Sequence, residues 1–229
     1  MDATYSVDPR PSGIAVYSIE LLSGLAHAHP QDEFLHYYRP KQFLKSVRAS
    51  APNVHRRILL PSSTVRRADI FHGLNQRVDH RPAKRVLVTF HDLFVLTADY
   101  ASPDFRARFG GQAKRAAELA DGIIAVSRFT ANQVTELLGV EPSRIRVVPH
   151  GVHFPESLTS HLREKMVLFV GALQARKNVS RLVEAFEGLP DEWRLVLAGS
   201  PTGYRAEKVL DVICSNGGCR TTSPVRRPR

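Results

Sequence analysis

Arg176 and Lys177 stand side by side in the stretch VLFVGALQARKNVSRLVEAF, residues 167–186. Four apolar residues, Val167 to Val170, run into Gly171. A helical pattern with Val179, Leu182, Val183 and Phe186 on one face begins just after the two cations. Cations at the start of a helix oppose its dipole, and the first turn there carries backbone N–H groups without partners. An anion bridging the cations and the helix start relieves both conflicts, and a phosphate or diphosphate is the natural candidate. Gly171 would let the backbone turn and a ligand approach closely. On spacing alone a second reading stands beside this one: a solvated Arg-Lys pair in a surface loop. A P-loop is excluded, because Arg176 occupies the place of its second glycine and Asn178 lacks the magnesium-binding hydroxyl. No G-x-G-x-x-G occurs, which argues against a nicotinamide-binding domain.

The second set of chemically able residues lies at the ends of apolar runs. His72, His91, Ser127 and His150 each follow a strand-like stretch. In an open α/β sheet, ligands bind beyond the C-terminal ends of the strands. His91, followed by Asp92, stands where function would be expected, but on the residues alone a strand-end histidine bonded to backbone is the favoured reading. No carboxylate pair completes a metal site around His150 and His153. Cys214 and Cys219 form a C-x4-C pair without nearby partners, a poor zinc site. His27 and His29 are expected to face solvent.

The elements that would position these residues alternate. Helical periodicity places Ile14, Tyr17, Leu21, Leu22 and Leu25 on one face. EFLHYY, RRILL, ADIFHG, RVLVTFHDL, GIIAVS and RIRVVPHG read as strands, with a helix over DFRARFGGQAKRAAELA. Ser127 is placed to cap the next helix and Gly139 to stop it, with Val134, Leu137 and Leu138 facing inward. Near-continuous apolar strands between helices imply a doubly wound parallel sheet covered on both faces. MDATYS has no apolar run to supply its first, central strand, so a truncated or misplaced start with an incomplete first strand is expected; alternatively this short segment fills the slot poorly. Residues 1–152 therefore form an N-terminal Rossmann-like domain and 153–165 a polar linker. A second α/β pattern covers 166–213: strand 166–170, helix 178–187, strand 194–198 and a helical start at 204–213. Two strands cannot complete such a domain. Residues 214–229 have no apolar face and read as a disordered basic tail.

The chain has 229 residues, 43% hydrophobic and 24% charged, a globular balance. No apolar run could span a bilayer and no signal-peptide core opens the chain, so a cytoplasmic location is expected. The formal charge is +10, yet four arginines lie in the last ten residues and the rest are scattered. No basic helix with interleaved aromatics is present, so no specific nucleic-acid partner is expected. Peripheral contact with an anionic inner-membrane surface stays open.

FVGALQARKNVSRLVEAF resembles the donor-domain motif of retaining GT-B glycosyltransferases, the family 4 or "group 1" set. PRPSGIAVYSIELLSGLA is similar to that family's N-terminal glycine turn and first helix, and TFHDLFVL to its His-Asp strand end. ADGIIAVSRFTANQVTELLGVEPSRIRVVPHGV resembles the run into its interdomain hinge, where His150 replaces a common asparagine; the resemblance makes His150, Gly151 and His153 hinge residues rather than metal ligands. The resemblance covers residues 2 to about 213. It implies two Rossmann-like domains and a nucleotide-diphosphate sugar donor. Gly13, Gly171, Arg176 and Lys177 would lie at the donor diphosphate, and His91 at the reacting centre. It further implies front-face transfer of a hexosyl group, mannosyl among the options, to a saccharide or lipid-linked acceptor in polysaccharide or glycolipid assembly, with no metal or other cofactor. Ala172 stands where many members carry a second arginine. The family's Glu-x7-Glu region is not reached, so a truncated member with weak or no activity is expected. A non-catalytic remnant that binds only nucleotide or acceptor is the alternative.

Overall fold

The computed structural model describes residues 1–9, 11–46, 51–60, 68–154, 163–201 and 204–215. Contacts divide the chain into two units: Met1–Ala98 with Pro103–His153, and Asp99–Ser102 with the chain from Phe154 onward.

The first unit is built from α1 (Gly13–Ala28), β1 (Phe34–Tyr38), α2 (Pro40–Lys45), β2 (Val54–Ile58), β3 (Ile70–Gly73), β4 (Arg85–Phe90), α3 (Phe94–Thr97), α4 (Pro103–Leu119), β5 (Gly122–Ala125), α5 (Arg128–Leu138) and β6 (Ile145–Val147). Every strand pairing is parallel, in the order β3-β4-β5-β6 with β1-β2 beside it. Residues 1–3 join the two sets. Ala3 donates to the Tyr37 carbonyl at 2.8 Å, Tyr37 to that of Met1 at 2.9 Å, and Asp2 to that of His72 at 2.9 Å. The short opening segment thus fills the central slot between β1 and β3, as the doubly wound order requires.

Val86, Val88 and Phe90 of β4, Ile123 and Ala125 of β5, Ala113 and Ala116 of α4 and Val134 of α5 are all buried, with α4 lying on β4 and α5 on β5. Each large apolar side chain so buried contributes about 1.5–3 kcal/mol. The alanines let α4 lie close to the sheet. α1 buries Ala15, Ser18, Leu22 and Ala26, with Tyr17 half-buried beside them.

Ser127 caps α5 through its Oγ, which accepts from Thr130 N at 3.1 Å, and Gly139 ends it at φ +67°. One expectation for this helix fails. Val134 faces inward as expected but Leu137 is 44% exposed; Thr130 and Gln133 are the other buried residues, and Thr130 bonds the His91 carbonyl. α2 has no apolar periodicity over its six residues; Pro40 at its first turn starts it.

The second unit holds β7 (Met166–Val170), α6 (Val179–Phe186), β8 (Arg194–Ala198) and α7 (Ala206–Ser215). β7 and β8 pair in parallel over five residues. Phe169, Leu195 and Leu197 pack on Leu173, Val179, Val183 and Val209. Leu168, Val170 and Val196, on the opposite sheet face, are exposed. α7 runs two residues past the boundary read at 213. The remainder of the supposed tail, and most of the supposed linker, lie outside the described residues. No helix among the described residues is long and apolar enough to cross a membrane.

Candidate functional site

Two groups of residues emerge, one in each unit. In the first unit the strand ends gather His91, His150 and a residue that the sequence pattern hides, Tyr17. The His91 and His150 rings stack at 5.5 Å between centroids and 25° between planes. Tyr17 meets His91 edge-on at 4.7 Å and 82°, and lies 4.9 Å from His150. Its hydroxyl pairs with Thr89 Oγ1 at 3.1 Å, and Thr89 Oγ1 also lies 2.9 Å from His72 Nε2. Helical periodicity marks Tyr17 as a core residue, and half its surface is indeed packed; its polar end has work of its own.

His91 is held from three sides. Its Nε2 lies 2.9 Å from the Leu74 carbonyl beyond β3. Its own carbonyl accepts from Thr130 Oγ1 at 3.2 Å, which ties it to the Ser127 cap of α5. Tyr17 covers the ring. Burial chiefly lowers its pKa below the ordinary 6.5, the Leu74 contact opposes this, the His150 charge adds to the lowering and Asp92 opposes it. His91 is therefore neutral at pH 7. The backbone-bonded reading of His91 and the site reading are both accommodated: one nitrogen binds backbone and the other has no hydrogen bond among the described residues.

His150 and Gly151 follow β6 in an exposed loop, and His153 pairs with Glu20 of α1 at 2.8 Å. Gly13 needs a correction. It sits not in a tight glycine turn but at the first position of α1, capped by Ser12, whose Oγ accepts from Ala15 N at 3.4 Å. The backbone has no positive φ there, and a Cβ would meet nothing within 4 Å. Nothing inside the unit demands glycine at 13; open space beside the helix start is what it leaves.

In the second unit Gly171, Arg176 and Lys177 lie on one loop. Gly171 has φ +153°, a conformation that favours glycine. The loops after the two strands run together: Gly171 N donates to Ala198 O and Leu173 N to Ser200 O, each at 2.9 Å. A Cβ on Gly199 would lie 1.7 Å from the Gly171 carbonyl oxygen, so the second glycine is required by the first. Arg176 and Lys177 close a 3-10 turn, Ala175–Lys177, and Asn178 follows in the left-handed region at φ 53°. That single residue ends the turn and starts α6. No acidic side chain occupies the first turn of α6, which instead carries Arg181. Arg181 is a third cation that the sequence reading passed over, although its place three residues into the helix was visible. Lys177 is exposed and Arg176 half-buried.

Among the described residues no group of three or more His, Cys, Asp or Glu is placed to hold a metal ion. A separate cavity of about 140 Å³ in the first unit is lined by Asp2, Arg39, Phe71 and Arg77, and contains none of the residues above.

Parallel strands with polar residues at their C-terminal ends, together with a glycine loop that carries cations, define a class of α/β chain whose ligands bind at the strand ends. The comparisons narrow the class. The model of Glycosyltransferase Family 4 matches residues 11–154, more than half of the chain. The chain belongs to that family, and its expected GT-B glycosyltransferase kinship holds. It is 27% identical over 149 residues to an O-antigen chain mannosyltransferase B from Escherichia coli, covering 59% of this chain and 39% of that protein. It is 32% identical over 126 residues to a D-inositol 3-phosphate glycosyltransferase from Xylanimonas cellulosilytica, covering 47% and 30%. The match thus spans well under half the length of these relatives. Among solved structures, the wall teichoic acid polymerase TagF is similar at 10% identity and a TM-score of 0.43, over 85% of this chain and 53% of that one.

Proposed function

We propose that this chain serves the transfer of a hexosyl group, mannosyl among the candidates, from a nucleotide-diphosphate sugar to a saccharide or lipid-linked acceptor, with retention of configuration. The observation that carries the donor half is the Gly171–Asn178 loop. Two backbone conformations suited to Gly and Asn bring Lys177 and Arg176 to the start of α6, whose first turn carries no acidic side chain. A leaving diphosphate would there meet cations and backbone N–H groups that stabilise its growing charge without a metal. The acceptor half rests on His91, a neutral imidazole fixed at a strand end beside Tyr17 and His150. A lipid-linked acceptor would bring the chain to the cytoplasmic face of a membrane.

Binding without transfer is a second reading. The two-stranded sheet of the second unit, with Leu168, Val170 and Val196 exposed, favours it. Calorimetry with UDP, GDP and ADP, followed by assay against a panel of their sugars, separates the two. Saturable diphosphate binding that falls roughly tenfold to a hundredfold in Lys177→Ala is expected, the loss of a charge-assisted hydrogen bond being worth about 1.5–3 kcal/mol. Binding without turnover selects the second reading. If none of the three nucleotides binds the intact chain, the donor assignment falls.

A further inference from the structure

We propose that Tyr17 is a positioning residue: together with the Leu74 carbonyl it holds His91 as the Nε2–H tautomer and leaves Nδ1 as the atom that accepts a hydrogen bond from a substrate hydroxyl. The inference rests on the glycosyl-transfer reading only for the identity of that hydroxyl as the acceptor's.

A carbonyl oxygen can only accept. The 2.9 Å contact with Leu74 O therefore puts a proton on His91 Nε2. A neutral imidazole carries one N–H, so Nδ1 holds a bare lone pair, and among the described residues it has no hydrogen bond. An attacking hydroxyl needs an acceptor for its proton. The charged ring would offer a donor at both nitrogens and would lose that ability. Whatever keeps the ring neutral and stops it rotating thus keeps the acceptor atom available.

Tyr17 does both. Its ring meets His91 edge-on at 4.7 Å and shields it from water, and it touches His150 on the other side at 4.9 Å. The ring is itself fixed. Its hydroxyl pairs with Thr89 Oγ1, 72 residues away in sequence and fully buried on β4, and Thr89 is shared with buried His72. Swinging Tyr17 aside would leave a buried hydroxyl short of a partner, which costs about 1–3 kcal/mol. The groups that bear on the His91 charge are then few. His150 lies in the loop after β6, Asp92 is the next residue, His72 lies behind Thr89, and the Tyr17 phenol is pushed above 10 by burial and stays neutral. Asp92 favours the charged ring; burial and His150 oppose it.

The test uses the whole chain with labelled histidine and no nucleotide, so its outcome is independent of donor binding. Long-range proton–nitrogen correlation should report a protonated Nε2 and an unprotonated Nδ1 for His91, with a midpoint below 6.5. Tyr17→Phe keeps the ring and should preserve both properties. Tyr17→Leu keeps apolar volume but removes the aromatic edge; the midpoint should rise toward 6.5 and the two tautomers should mix. An Nδ1–H tautomer in the unmodified chain overturns the proposal. So does a folded Tyr17→Leu whose His91 tautomer and midpoint do not move. Should Tyr17→Leu fail to fold, cross-relaxation between the Tyr17 ring protons and the His91 carbon-bound protons in the unmodified chain decides, its absence counting against the proposal.

Discussion

The imidazole of His150 stacks on that of His91, 5.5 Å from centroid to centroid. The two rings reach each other from different strands, β6 and β4, across a parallel sheet that brings only C-terminal ends to that edge. A positive charge on one ring disfavours a charge on the other. His150→Asn removes that influence and should raise the His91 midpoint, read by histidine NMR. His150→Lys, which carries a fixed charge, should lower it further. An equal midpoint in all three chains would mean that the stack has no electrostatic consequence.

Acid should unfold the first unit earlier than its carboxylates require. Burial chiefly lowers His36 and His72 to about 4 each, against 6.5 when unfolded. Below pH 6.5 the unfolded chain binds protons that the folded chain refuses, so stability is complete above 6.5 and is lost as pH falls toward 4. The loss is of order 3 kcal/mol per buried histidine at most. His36 Nε2 is buried without a hydrogen-bond partner, so His36→Leu sacrifices nothing there. That variant should equal the parent in urea at pH 8 and exceed it at pH 5. An unchanged difference between the two pH values would contradict the linkage.

What the sequence disclosed and what it hid follow from contact range. The strands over 85–90 and 122–125 were legible because they are predominantly apolar, with one face buried and the other, Arg85 apart, at least partly so. The Ser127 and Gly139 signals work within one or two turns of chain, and both hold. Tyr17 was concealed because its significance depends on Thr89, His91 and His150, which meet it only after the sheet has formed. Arg176 and Lys177 were legible as cations beside a helix start. The mutual dependence of Gly171 and Gly199 was not, since 27 intervening positions separate two loops that become neighbours through strand pairing. The central strand slot shows the reverse error: residues 1–3 lack an apolar run, yet backbone bonds to both sides seat them.

Ser127 links a helix cap to the site. Its Oγ accepts from Thr130 N and touches Thr130 Oγ1, which reaches the His91 carbonyl. Ser127→Ala should cost about 1 kcal/mol, the usual worth of a cap. Thr130→Val retains the backbone cap bond to Ser127 Oγ and removes the hydroxyl that bonds the His91 carbonyl and touches Ser127 Oγ. Urea titration should place Ser127→Ala clearly below the parent, and the His91 amide shift should move in both variants. A Thr130→Val chain with an unmoved His91 amide would show that the link carries nothing.

The two glycines 13 and 199 should separate ligand approach from packing. At Gly199 a methyl group would lie 1.7 Å from Gly171 O and 2.6 Å from its carbonyl carbon, both backbone atoms that no rotamer change can clear. Gly199→Ala should therefore destabilise the second unit at or above the top of the usual ~1–3 kcal/mol for overpacking. Amide exchange along β7 and β8 should accelerate, with the first unit unaffected. At Gly13 a methyl group meets nothing, and alanine in place of glycine at a helix start should be neutral or stabilise by up to about 1 kcal/mol. If a substrate lies against that helix start, Gly13→Ala weakens its binding while the melting curve stays put or moves up. If binding is equally unmoved, glycine at 13 serves neither fold nor ligand, and the N-terminal part of the proposed donor contact is to be withdrawn.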